Sequence, residues 1–161
     1  TSASSVTSAA NQIYDGMHNI IRQLRPGSLD NLGLSETIKD EMNSWQSQHS
    51  SLKVNLMIKG NIDLLGEVVN INVYRIIQEA MNNVVKHAKA SAIKISLLKT
   101  KDSLKIECID DGKGFDLKIL KKTKQFGLMG IKERTQSLNG NFDIKSSANN
   151  GTHITIVIPT K

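Results

Sequence analysis

The chain has 161 residues, 39% of them hydrophobic, which suits one globular domain with at most an appendage. Its formal charge of +6 raises the question of a polyanionic partner, but the lysines are scattered and the 4% of aromatics do not interleave with them as base stacking requires, so no nucleic-acid partner is expected. A single cysteine excludes an internal disulfide, and no stretch approaches the run of about 18 apolar residues that spans a bilayer. The first residue is Thr rather than Met, so an excerpt is expected, of a parent that is free to span a membrane. Residues 1–25 read as one helix whose Ile13, Met17, Ile20 and Leu24 recur at coiled-coil seam spacing. "RPGSLDNLG" breaks it at Pro26 and Gly27. A second helix is expected from a Ser35 cap to about His49, with Leu34, Ile38, Met42 and Trp45 on its inner face. Leu52–Gly60 reads as a strand and Gly60–Leu65 as a loop. Gly66 to Ala88 is the most strongly patterned helix, with Val73, Ile76, Ile77, Ala80, Met81, Val84 and Ala88 on one face. Strands follow at Ala92–Thr100 and Leu104–Ile109, where Cys108 alternates with Ile106 and Leu104 as a core thiol. Leu117–Lys124 is a short basic segment, and "FGLMGIKERTQSLNG" reads as a helix ending at a Gly140 C-cap. Strands at Phe142–Ser147 and Thr152–Ile158 close the chain before Pro159. This order predicts an α/β two-layer sandwich, a mixed sheet with helices on one face, rather than a doubly wound fold.

Four stretches can carry chemistry. On the long helix, Glu79, Asn83 and Lys86/His87 share a ridge, so a carboxylate, an amide oxygen and a cation stand in a row suited to a hydrated Mg²⁺ and a phosphate tail. The same row also suits a solvated polar face. In "CIDDGKGFD", Asp110 ends a strand where a rigid carboxylate can accept from a ligand's amine, and Gly112 and Gly114 permit positive φ and close approach to a ring or phosphate. A tight turn is the plain alternative. In "FGLMG", Gly127 and Gly130 flank Leu128 and open a helix whose free N–H groups favour phosphate oxygens, although no GKS or GKT of a P-loop follows. In "NGTHITIVIP", Gly151 and Thr152 start a strand that can bring a hydroxyl near Asp110.

Taken together, these stretches resemble the ATP-binding domain of sensor histidine kinases, in the superfamily that includes gyrase, the heat-shock chaperone and mismatch-repair ATPases. "QEAMNNVVKHAKAS" is similar to the asparagine box, "DDGKGFD" to the first glycine box, and "FGLMGIKERTQSLNG" with "GTHITIVIP" to the second glycine box and closing strand. "LRPGSLDNLGL", "VKHA" and "GIKERTQSLNG" are similar to the nitrate-sensor and hexose-phosphate-sensor kinases. The resemblance implies a Bergerat-type fold over residues 34–161, with residues 1–33 the remnant of the second dimerisation-hairpin helix and its linker. It implies that ATP and Mg²⁺ bind. Asp110 would read the adenine amino group, with Gly112 and Gly114 around base and sugar. Asn83 would hold the metal, and Lys86 and His87 would touch phosphate. Gly127, Leu128 and Gly130 would form the hinge of a lid, Thr152 would stand beside Asp110, and Glu79, the box's opening acid and the catalytic candidate, would orient a water on the metal or only set the helix. Gln125 stands where the family often has another glycine, and Lys132 where arginine is usual.

Such kinases pass the γ-phosphoryl of ATP to a hairpin histidine and then to a response regulator, and the parent is expected to be a homodimer with this domain in the cytoplasm. The acceptor is normally followed by an acid. His18 is followed by Asn19, and it lies just before "LRP" on the wrong hairpin helix. The chain is therefore expected to bind ATP without phosphorylating itself, leaving the Ile13–Leu24 seam exposed. An anti-sigma-type serine kinase of the same superfamily and a non-catalytic interaction module with the same fold are the competing readings.

Overall fold

The computed structural model describes residues 29, 32–116 and 126–160. The expected first helix, its seam, His18, the break at Pro26 and the basic segment 117–124 lie outside them. Helix α1 spans Gly33–Gln48, and strand β1 spans Lys53–Lys59. Helix α2, Glu67–Asn83, continues into a π-helical turn, Val84–Ala88. Strands β2 (Ala92–Lys99) and β3 (Ser103–Asp110), helix α3 (Phe126–Ser137), and strands β4 (Asn141–Ser146) and β5 (Thr152–Pro159) complete the order.

The sheet runs β1-β2-β3-β5-β4. β1 and β2 are parallel, joined across α2, and the other neighbours are antiparallel. One face carries Ile93, Ile95, Leu97, Leu104, Ile106, Cys108, Ile154, Ile156 and Ile158, all buried beneath the helices. The other carries Lys94, Lys105, Glu107, His153 and Thr155, exposed or half-buried. This in/out alternation is the two-layer sandwich the sequence predicts. The αβ layers meet through Leu34, Ile38 and Met42 of α1 and Val73, Ile76, Ile77, Ala80 and Met81 of α2.

Three local expectations need correction. Ser35 does not cap α1: the N-cap is Leu32, without a side-chain bond. Instead Asp63, from the β1–α2 loop, accepts the Ser35 N–H at 2.9 Å and its hydroxyl at 3.2 Å, a cap supplied from outside the helix. The long helix is not α-helical to Ala88; its last five residues widen to a π turn, and Lys89 leaves at φ 48°. At the end of α3 the left-handed residue is Asn139 (φ 58°), not Gly140. Asn139 N–H reaches Gln136 O and Gly140 N–H reaches Thr135 O, a Schellman pattern with asparagine at its left-handed position.

Candidate nucleotide site

A pocket opens where α2 ends, β3 ends, β5 begins and α3 begins. Its walls include Ala80, Asn83, Val84, His87, Asp110, Gly114, Phe115, Leu128 and Thr152. Cys108 and Ile154 floor it, the thiol pushed up to about 12 by burial, so it serves as packing rather than as a nucleophile. Free space within is about 30 Å³, room for about one water.

Asp110 ends β3 opposite Thr152. One carboxylate oxygen accepts the Gly112 N–H at 2.9 Å, and the Thr152 N–H also reaches the group. Half-burial outweighs these bonds and raises its pKa. Asp111 differs in kind. It accepts from the Ser91 N–H at 2.8 Å, the Ala92 N–H at 2.9 Å and the Ser91 hydroxyl, and the Ser91 bond leads in holding its carboxyl below the usual range. Of the two adjacent acids, Asp110 faces the pocket and Asp111 fastens the start of β2.

The glycines have structural reasons that the sequence reading assigns to a ligand. A Cβ on Gly112 would run into the Ala88 carbonyl and lie 2.8 Å from the Ala88 methyl; its φ is not positive. The Lys113 N–H bonds the same Ala88 carbonyl at 2.7 Å, so loop and π turn lock together. Gly114 (φ 61°) and Gly151 (φ 71°) would each drive a Cβ into a backbone carbonyl, of Ser147 and Asp110 respectively. Ser146 ties this corner: its hydroxyl accepts the Phe115 N–H at 2.9 Å and donates to Gly151 O at 2.9 Å. The Thr152 hydroxyl lies 3.0 Å from it, so this hydroxyl is engaged with Ser146 and it is the Thr152 backbone that meets Asp110. Gly130 is the exception. No described residue lies within 4 Å of a Cβ there, so the described fold has no need of glycine.

Gly127 is in the first turn of α3, where N–H groups lack helical partners. Gly130 is in the second, where helical geometry commits its N–H to the preceding turn, so it does not add the free donor expected of it. Leu128 is buried in the pocket wall. The π turn splits the expected ridge. His87 reaches the pocket, Lys86 is exposed and not among its walls, and half-buried Glu79 lies one turn back, near Arg75. Phe115, next to the second glycine, is a pocket wall, as are Ala80 and Val84 from the apolar face of the long helix rather than its polar ridge.

Asn83 bears on a metal. Its Nδ2 is buried with no hydrogen-bond partner among the described residues, so none of these commits the amide. An uncommitted amide supplies one oxygen of the hard kind Mg²⁺ takes. Among the described residues no cluster of three or more His, Cys, Asp or Glu could hold a metal alone. The residues therefore fit a Mg²⁺ held mostly by phosphate and water, and do not fit a metal caged by protein.

The family model described as histidine kinase-, DNA gyrase B- and HSP90-like ATPase matches residues 69–161. The chain belongs to that family, as an ATP-binding catalytic domain of the histidine-kinase type. It is 38% identical over 143 residues to the signal transduction histidine-protein kinase/phosphatase DegS of Brevibacillus brevis, covering 89% of this chain. It is 35% identical over 139 residues to DegS of Bacillus subtilis (strain 168), covering 84%. The chain spans 36% of the length of each relative. The histidine kinase domain of the Erythrobacter litoralis EL346 blue-light activated kinase has the same fold (TM-score 0.68, 16% identity, 80% of this chain and 61% of that one). So has the catalytic domain of histidine kinase ThkA (TM-score 0.63, 15% identity, 80% and 93%).

Proposed function

We propose that the pocket binds Mg-ATP and that the parent protein donates the γ-phosphoryl to a histidine on its dimerisation hairpin, for relay to a response regulator. The observation that carries this reading is Asp110: a half-buried carboxylate in a mostly apolar wall, held by backbone N–H groups and facing the cavity. Such a group accepts from an exocyclic amine, and the apolar walls Ala80, Val84 and Leu128 suit a flat base. Asn83 holds the metal, which when bound neutralises phosphate charge. His87 and Lys86 contact phosphate, the Gly127 N–H offers a further donor, Thr152 fixes Asp110, and Glu79 orients water near the metal.

The subgroup is that of the nitrate-sensor and hexose-phosphate-sensor kinases, on the strength of "VKHA" and "GIKERTQSLNG". Residues 1–33 belong with the hairpin and its linker and 34–161 form the catalytic domain, Leu29 packing into the latter's core. The parent acts as a homodimer, with this domain in the cytoplasm beside its ATP and regulator. Among the described residues no helix is long and apolar enough to cross a membrane. Of the described histidines, His49 stacks on Trp45, His153 bonds Glu107 and His87 lines the pocket, so none stands as a free acceptor on a helix seam.

Calorimetric titration of ADP with Mg²⁺ into the chain and into Asp110→Asn tests the reading. Micromolar-range binding that weakens in the variant supports it; absence of binding by the parent chain reduces the assignment to fold alone. Transfer of labelled phosphoryl to a supplied hairpin histidine, rather than to a partner serine, separates the kinase from its serine-directed alternative.

A further inference from the structure

Strand β1 is an edge of the sheet, and its outward side is unevenly partnered. Lys53 donates its N–H to Ser91 O at 2.8 Å, on the β2 side. With period two, Lys53, Asn55, Met57 and Lys59 turn their peptide groups to β2, while Val54, Leu56 and Ile58 turn theirs to the free edge. At the first of these, the side-chain amide of Gln46 stands in for a neighbouring strand. Its Oε1 accepts the Val54 N–H at 2.9 Å and its Nε2 donates to Leu52 O at 2.7 Å. One amide thus pairs with the edge as a peptide group of an added strand would. Beyond Gln46, no described residue pairs with the outward peptide groups of Leu56 and Ile58. Their half-buried side chains floor a groove of about 600 Å³ between β1 and α1, walled on the helix side by Lys39 and Met42.

Charge selects among occupants. Lys39, which also pairs with Glu36 at 3.1 Å, is the charged side chain in the groove, and exposed Lys53 and Lys59 bracket the strand. A second copy of β1, paired antiparallel along its whole length, sets Lys53 opposite Lys59 at both ends. Like charges directly opposite destabilise a ladder, and edge lysines are a common guard against self-pairing. An incoming strand with acidic ends turns the same contacts favourable. We propose that the β1 edge binds an extended peptide segment of a partner protein, its alternate apolar residues over Leu56 and Ile58 and its acidic ends against Lys53 and Lys59, adding a strand to the sheet.

The test uses peptides of about seven residues that alternate valine and threonine, one set with aspartate and glutamate ends and one with lysine ends. Titrated into the isotopically labelled chain, the acidic set binds at least about tenfold tighter, and the Leu56 and Ile58 amides become slow to exchange. Leu56→Pro removes an outward N–H without touching the β2 ladder, so binding is lost while the chain stays folded. If that variant does not fold, the double variant Lys53→Glu/Lys59→Glu replaces it, and the preference inverts to the lysine-ended set. Equal affinity for the two sets, unprotected Leu56 and Ile58 amides, or dimerisation that protects them without peptide overturns the proposal.

Discussion

Asp110 and Asp111 are neighbours in sequence with opposite titration. Burial raises the Asp110 pKa, so its share of stability is present at low pH and is lost as pH rises through that raised value. Asp111 is lowered first by the Ser91 hydroxyl, so its share is present above the usual aspartate range and is lost as pH falls through the depressed value. Asp111→Asn is expected to lose about 1 kcal/mol at neutral pH, a small figure because the site is solvent-exposed. Urea unfolding at neutral and acid pH checks the sign: the gap between variant and parent should close as the solution is acidified. A gap independent of pH would mean that the Ser91 and Ala92 bonds do not depend on charge. Asp110→Asn should behave differently, leaving stability intact or improved and weakening ADP by about 10- to 100-fold, the worth of one hydrogen bond to a charged acceptor. Nothing in "DDG" as a string separates these roles; strand register does, because Asp110 closes the ladder opposite Thr152 while Asp111 passes beyond it to Ser91.

At the scale of elements, the glycines divide by what a methyl group would meet. Gly112 sits against the carbonyl that ends the π turn, and Gly114 against the β4–β5 loop, so alanine at either forces backbone apart. Overpacking of this kind costs about 1–3 kcal/mol, with left-handed strain added at Gly114. A methyl group on Gly130 meets no described residue, and glycine inside a helix costs roughly 0.5–1 kcal/mol relative to alanine. Gly130→Ala should therefore raise the midpoint of urea unfolding, whereas Gly112→Ala should lower it. If Gly130 is kept for the nucleotide, the same Gly130→Ala protein binds ADP more weakly despite being more stable; unchanged affinity would remove that role. The sequence made the helices and strands legible because their apolar periods are clean, as in Val73, Ile76, Ile77 and Ala80 or Leu104, Ile106 and Cys108. It did not reveal the π turn, since Val84 and Ala88 keep a four-residue spacing that an α-helix also satisfies. Nor did it reveal the Asp63 cap, which arrives from 28 residues away.

For the whole molecule, the site was legible as a set of motifs and not as a geometry. Asn83, His87, Asp110, Gly114, Leu128 and Thr152 do converge on one pocket, but only because the β1–α2–β2 crossover and the β3–β5 pairing bring four distant segments to one end of the sheet. The metal reading rests on the same assembly and admits a global test. A ligand at about 100 times its dissociation constant stabilises a fold by about 2.7 kcal/mol, here an increase in Tm of roughly 5–10 °C. With ADP, that increase should shrink when EDTA removes Mg²⁺. If Asn83 is the metal's protein ligand and Asp110 the base reader, as proposed, Asn83→Ala should give the smaller increase with or without Mg²⁺. Its unliganded Tm should stay near that of the parent, since the amide it deletes includes a buried Nδ2 with no partner among the described residues, whose desolvation costs the folded state. A variant whose ADP shift still depends on Mg²⁺ would place the metal on other groups, and a variant with a sharply lower unliganded Tm would make Asn83 a structural residue instead.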